Sequence, residues 1–343
     1  MSKHILISDP TLRDGNHAVR HQISQAGFAS YCAAAEQAGV PIVEVGHGNG
    51  LGASSMLVGE CSLSDETILR TARANLSKSK LGIHAIPGFC TIRRHLTMAI
   101  EMGVDVFRIA THCTEADITQ RHIDYVRSQG KEVFGVLMMS HMASPTLLAD
   151  EARKMEAYGA EGVIIMDSAG TYLPSDVTER IGTLVNALNI PVGFHAHNNL
   201  GMGIANSVAA VEAGATMIDG SARGFGAGAG NAQLEVLVAV FERMGIETGI
   251  DLYKMLDAAD LAEREMIPSL PSISSTSVVS GLAGVFSGFV KHVNSIGAEH
   301  GIDPRDIFFE LGRRNAVAGQ ESLILEVALQ LAETRANARA QHA

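Results

Sequence analysis

Apolar and polar positions along the chain fall into one repeated cycle. A short apolar, β-branched run leads to a polar or glycine-bearing turn, then an amphipathic stretch, then a small residue and a glycine. The apolar runs begin near Ile5, Ile42, Leu81, Val106, Val133, Val163, Val192 and Met217. Bounded runs of this length read as buried strands. Between them, Phe28, Cys32 and Ala35, or Ile204, Val208 and Val211, recur at helical spacing on one face. Ala38-Gly39, Met102-Gly103, Gln129-Gly130, Tyr158-Gly159 and Ala213-Gly214 put a glycine where a helix stops in the left-handed conformation. Strands alternating with helices predict a parallel sheet. Eight of them, over a span near the usual ~250 residues, predict a closed (β/α)8 TIM barrel. A doubly wound sheet is the runner-up, but no Gly-x-Gly-x-x-Gly follows the first strand. The glycine-rich run Gly224 to Gly230 follows the eighth instead.

After about Glu263 the cycle stops. Pro268, Pro271 and a Ser/Thr cluster from Ser272 to Ser277 mark a linker. Three helical stretches follow, near Val278–His300, Pro304–Arg314 and Ser322–Arg339, with a frayed tail expected beyond Thr334. The organisation expected is therefore a catalytic barrel over 1–262 and a helical C-terminal domain over 263–343.

Composition narrows the function classes. The 343 residues are 46% hydrophobic, enough for a large core, and no apolar run is long enough to span a bilayer. The N-terminus lacks the pattern of a signal peptide. Cys32, Cys61, Cys90 and Cys113 form no Cys-x-x-Cys pair, which favours a reduced, cytoplasmic setting. A net charge of −11 argues against nucleic acid as partner.

The chemistry gathers around Gly193-Phe194-His195-Ala196-His197-Asn198-Asn199. Two residues apart on a strand, His195 and His197 project from one face, and two convergent imidazoles are good metal ligands. In a barrel the site forms at the carboxyl ends of the strands. Those ends carry Arg13, Asp14 and His17, then Glu44 and His47, Thr111 and His112, His141, Asp167 and Ser168, and Asp219. Strands one and seven are close neighbours in a closed barrel, so Asp14, His195 and His197 can meet around one ion. A carboxylate and two imidazoles with open positions favour Mn²⁺, with Co²⁺, Mg²⁺, Fe²⁺ or Zn²⁺ as competitors. Lys3, Lys80 and Lys131 lie at the wrong ends of strands, and Lys78, Lys154, Lys254 and Lys291 in helices or linkers. A Schiff-base mechanism is therefore disfavoured and a metal must polarise any carbonyl. A metallohydrolase barrel is the alternative, but its His-x-His normally sits on the first strand, where this chain has Arg13-Asp14.

The motifs Thr11-Leu12-Arg13-Asp14-Gly15, Ala110-Thr111-His112-Cys113-Thr114-Glu115-Ala116-Asp117, Met138-Met139-Ser140-His141-Met142, Asp167-Ser168-Ala169-Gly170 and His195-Ala196-His197-Asn198 resemble the 4-hydroxy-2-oxovalerate aldolase family. These are metal-dependent pyruvate aldolases among the HMG-CoA lyase-like barrels. The resemblance covers nearly the whole chain. It implies retro-aldol cleavage of a 4-hydroxy-2-oxo acid to pyruvate and an aldehyde, with Asp14, His195 and His197 as metal ligands. It further implies that Arg13 stabilises the enolate, His17 is the acid/base, Ser168 helps hold the 2-oxo acid and Asn231 lies outside the ligand shell. It also implies a homo- or hetero-oligomer, in which the helical part docks a CoA-acylating aldehyde dehydrogenase and lids the site. Two departures fall where the resemblance puts the aldehyde half of the substrate. Phe286 stands where the family has an active-site Tyr, and His84-Ala85-Ile86-Pro87 replaces Leu-Leu-Leu-Pro. His84 is thus expected to face the aldehyde from the wall opposite Phe286.

Overall fold

The computed structural model describes residues 4–341. Eight parallel strands close into a barrel in chain order: β1 Leu6–Leu12, β2 Ile42–Val45, β3 Lys80–Ala85, β4 Val106–His112, β5 Glu132–Met138, β6 Val163–Asp167, β7 Val192–Ala196 and β8 Met217–Asp219. Each begins within one residue of its predicted start. The predicted glycine stops are left-handed, with φ from 69° at Gly130 to 109° at Gly214. The helix at Gln25–Ala38 starts at Ser24, whose side chain accepts the Gly27 N–H, and ends at Gly39.

Alternation along the strands sorts their side chains. Val43, Val45, Leu81, Ile83, Phe107, Ile109, Phe194 and Ile218 point outward and pack with the surrounding helices in the main core. Their neighbours face the barrel interior. Ile42, Val106, Phe134, Ile164 and Met217 fill its floor, while Glu44, Arg108, His195 and Asp219 are buried higher up. The barrel is therefore plugged by apolar side chains below and polar towards the carboxyl end.

The C-terminal part corrects two expectations. Its first stretch is not one helix. Ser275–Leu282 and Val290–His300 are separate helices, divided at Gly284 (φ 64°) by a turn that carries Phe286. The last helix, Ser322–Gln341, continues past Thr334 rather than fraying there. With Pro304–Arg313, these helices bury a second core of Val285, Phe289, Val293, Phe308, Leu311 and Val327. Several hydrogen bonds tie this assembly to the barrel. Ser287 N–H donates to Ser168 O (2.9 Å), His141 Nε2 bonds Gly284 O (2.8 Å), and Lys291 Nζ donates to Ala18 O. Among the described residues no helix is long and apolar enough to cross a membrane. Lys3 lies outside the described residues.

Candidate active site

Pro10 within β1 cannot donate to a ladder, and the β1–β2 register shifts between Asp9 and Leu12. The Arg13 and Asp14 amides then bond Pro10 O, at 3.0 and 2.8 Å. This turn swings Arg13 and Asp14 over the barrel mouth. Asp14 Oδ1 accepts from Arg13 Nη1 (2.7 Å). Asp14 Oδ2 accepts from Asn231 Nδ2 (2.9 Å) and from Ala227 N (3.2 Å). The glycine run makes that approach possible, since a Cβ on Gly226 would stand 2.5 Å from Asp14 Oδ2. Burial opposes ionisation of Asp14, but Arg13 and the nearby imidazoles outweigh it and hold the carboxyl well below the usual range.

Asp14, His195 and His197 come together as expected, their candidate ligand atoms all within 4.8 Å of one another. His195 Nε2 and His197 Nδ1 are buried without a hydrogen-bond partner. Buried imidazole nitrogens are rarely left so, and two of them beside an ionised carboxylate make a donor set suited to a divalent cation. Burial lowers His197 to about 3, leaving its ring neutral and able to ligate. His195 Nδ1 lies 2.8 Å from Asp219 Oδ2, which fixes the tautomer and frees Nε2.

Arg13 Nε donates to Glu44 Oε1 (2.6 Å), and Arg13 Nη2 is buried with no partner. Glu44 Oε2 lies 3.0 Å from Arg108 Nη1, and Arg108 Nη2 donates to Asp219 Oδ2 (2.6 Å). Burial would push Glu44 up, yet Arg108 and Arg13 hold it at about 2. Arg108 is the residue that sequence reasoning missed. The available signal was a lone charge at an inward-facing position of the apolar run Val106-Phe107-Arg108-Ile109-Ala110.

His17 stands at the mouth beside Asp14, where burial of its ring lowers its pKa despite the nearby carboxylate. His21 packs edge-on to it (5.2 Å between centroids) and stacks on His47 (3.6 Å). Two clefts meet at His17, Gly288 and Lys291. One, of about 320 Å³, runs past Phe286, Arg20 and His292. The other, of about 270 Å³, runs between the glycine run and Leu270-Pro271. Lys291, expected away from the mouth, lines both, because the C-terminal helices fold back over β1's loop.

The remaining candidates separate. Phe286 lies against His17. Ser168 is buried at the end of β6, and its Oγ accepts the Met139 N–H (2.9 Å). His84 does not stand opposite Phe286 as expected. Two residues from Gly82 on β3, it points into the barrel interior near Arg13, Glu44, Arg108 and His195, and does not line the Phe286 cleft. Its Nδ1 is buried and unpartnered. His47, His112 and His141 bond Gly59 O, Thr114 Oγ1 and Gly284 O and stand apart from the ligand set. Asp167 accepts the Thr171 and Tyr172 amides, and burial raises it to about 6.

Residues 4–262 match the HMGL-like family, and residues 271–333 match the DmpG-like communication domain. The carboxyl transferase domain of Rhizobium etli pyruvate carboxylase shares the fold, with a TM-score of 0.80 and 14% identity, over 96% of this chain and 60% of that one. A 4-hydroxy-2-oxovalerate aldolase of Pectobacterium atrosepticum is 68% identical over 98% of both chains. One of Spirochaeta aurantia is 66% identical over 94% of this chain and 95% of the relative. The chain belongs to the 4-hydroxy-2-oxovalerate aldolases, a metal-dependent family of carbon–carbon lyases.

Proposed function

We propose that the chain cleaves a 4-hydroxy-2-oxo acid reversibly to pyruvate and an aldehyde. The observation that carries this reading is the meeting of three chemically capable groups at the mouth. They are the imidazole nitrogens of His195 and His197 beside Asp14, the free Arg13 Nη2, and the uncharged His17. Asp14, His195 and His197 would hold a divalent ion, Mn²⁺ first by the ligand set, which would supply the Lewis acidity that a keto group needs. Arg13 Nη2 binds the developing enolate oxygen, and its pairing with Glu44 keeps the guanidinium from swinging away. His17 takes the C4 hydroxyl proton as the C3–C4 bond breaks, and its lowered pKa keeps it a free base near neutrality. Ser168 Oγ accepts the Met139 N–H and makes only a long bond of 3.5 Å to Met166 O, which its hydroxyl can give up for the 2-oxo acid.

The aldehyde half of the pocket admits bulkier or aromatic aldehydes as well as acetaldehyde. Phe286 offers an apolar edge where a tyrosine would offer a hydroxyl, and His84 adds an uncommitted imidazole deeper in the barrel. Residues 1–262 act as the catalytic barrel. Residues 263–343 lid the site and dock a CoA-acylating aldehyde dehydrogenase. The match to the communication domain and the exposed Phe309, Leu325 and Leu329 support this.

Incubation with 4-hydroxy-2-oxopentanoate and a panel of 4-hydroxy-2-oxo acids, with Mn²⁺ and lactate dehydrogenase to report pyruvate, tests the reaction. Turnover abolished by EDTA and restored by Mn²⁺ is expected. EDTA-insensitive turnover, or inactivity across the panel, overturns it. Co-elution with the dehydrogenase on gel filtration tests the partner.

A further inference from the structure

An unbroken chain of buried side chains runs beneath the mouth. From Asp14 it passes through Arg13 to Glu44 (2.7 and 2.6 Å), then to Arg108 (3.0 Å), Asp219 (2.6 Å) and His195 (2.8 Å). Both ends belong to the metal set. The middle pair, Glu44 and Arg108, touches no member of that set and is almost wholly buried.

The burial makes the middle pair informative. Charges withdrawn from water are tolerated when each is matched by hydrogen-bonded partners. Glu44 faces one guanidinium with each oxygen, Oε1 hydrogen-bonded to Arg13 and Oε2 ion-paired with Arg108 at 3.0 Å, and Arg108 reaches a carboxylate with each terminal nitrogen. Two guanidinium charges stand against three carboxylates, leaving one negative charge that a bound cation would answer. Arg108 fits this place because its planar fork can hold two carboxylates at a fixed separation, which a single ammonium cannot. Asp219 Oδ2 accepts from both Arg108 and His195, so any shift of the guanidinium moves the atom that orients the imidazole. At the other end, Glu44 holds Arg13, whose Nη1 holds Asp14.

We propose that Glu44 and Arg108 are positioning residues for the metal centre, coupling Asp14 to His195 so that the two move as one unit. This rests on the metal site of the proposed function. Groups beyond the ligands commonly change metal affinity 10- to 100-fold. Here the effect reaches one step further, through Arg13 and Asp219.

The test uses the full-length metal-free protein titrated with Co²⁺, reading Kd and the visible absorption band, with circular dichroism to confirm folding. Arg108→Lys keeps the charge but cannot bridge both carboxylates, and should weaken Co²⁺ roughly 10- to 100-fold and alter the band. Glu44→Gln, of the same size and shape, should do likewise although it touches no ligand. The double variant should lose no more than the worse single one, because either change severs the same chain. Parental Kd and band in folded Arg108→Lys and Glu44→Gln overturn the proposal, whatever the catalytic rates. Additive losses overturn the coupling. If Arg108→Lys does not fold, Glu44→Gln decides alone. A parent protein that fails to bind Co²⁺ would instead overturn the metal reading itself.

Discussion

The His17 imidazole meets the Phe286 ring edge-on, with centroids 6.3 Å apart and planes at 84°. The group read as the proton acceptor thus has a hydrocarbon wall on one side. Phe286→Tyr would place a donor there. Relative to longer aliphatic and aromatic aldehydes, kcat/KM for acetaldehyde with pyruvate should rise on the order of 10-fold, the worth of one well-formed hydrogen bond. An unchanged ratio across the aldehyde panel would remove Phe286 from aldehyde selection.

His84 is a buried imidazole with an unpartnered nitrogen, a destabilising arrangement unless a ligand completes it. His84→Leu should raise stability by roughly 1 kcal/mol in denaturant unfolding. The same change should lower kcat/KM for the favoured aldehyde. Stability gained with aldehyde preference intact would show that the ring serves no substrate.

Removing the ligand side chains separates metal from chemistry. Asp14→Ala and His195→Ala should lose metal and activity together, measured by elemental analysis after gel filtration. Arg13→Ala should retain the metal while kcat falls about 10²- to 10³-fold, as when an oxyanion donor is lost. Parental metal content in the first two variants would refute the ligand assignment.

Stability should rise with pH between about 4 and 6.5. Burial lowers His21, His47 and His141 from 6.5 to about 2, 4 and 4, so each is neutral when folded and takes up a proton on unfolding in that window. Burial raises Asp9 and Asp167 from 3.8 to about 6, so each releases a proton on unfolding there. These three uptakes, joined by those of His84 and His197, which burial also lowers, exceed the two releases. The net favours unfolding at lower pH, by on the order of 1 kcal/mol per pH unit for each net proton. The Tm should climb from pH 4.5 to 6.5 and then level. A flat or falling Tm over that range would contradict the buried, neutral state of these histidines.

Much of this architecture was legible in the sequence, because strand alternation and glycine stops are local signals. The meeting of Asp14, His195 and His197 was legible too, since barrel closure alone brings β1 and β7 near each other. What escaped depended on direction or register. Arg108 faces inward only because of where β4 pairs with β3 and β5. His84 lies on the inward-facing side of β3, which a strand with uncertain ends does not disclose. The helix expected from Val278 to His300 broke because apolar spacing continues across Gly284, and only its left-handed backbone marks the stop. Lys291 reached the mouth through long-range packing that no local pattern encodes.

The plug formed by Ile42, Val106, Phe134, Ile164 and Met217 narrows the barrel floor to a cavity of about 10 Å³. The open approach to a reactive carbanion is therefore from the rim where His17 stands. Substrate, product and ion share that same rim. Whatever covers the two clefts there would govern admission, release and quenching at once, so a single docking event could change the fate of the intermediate as well as the route of the aldehyde.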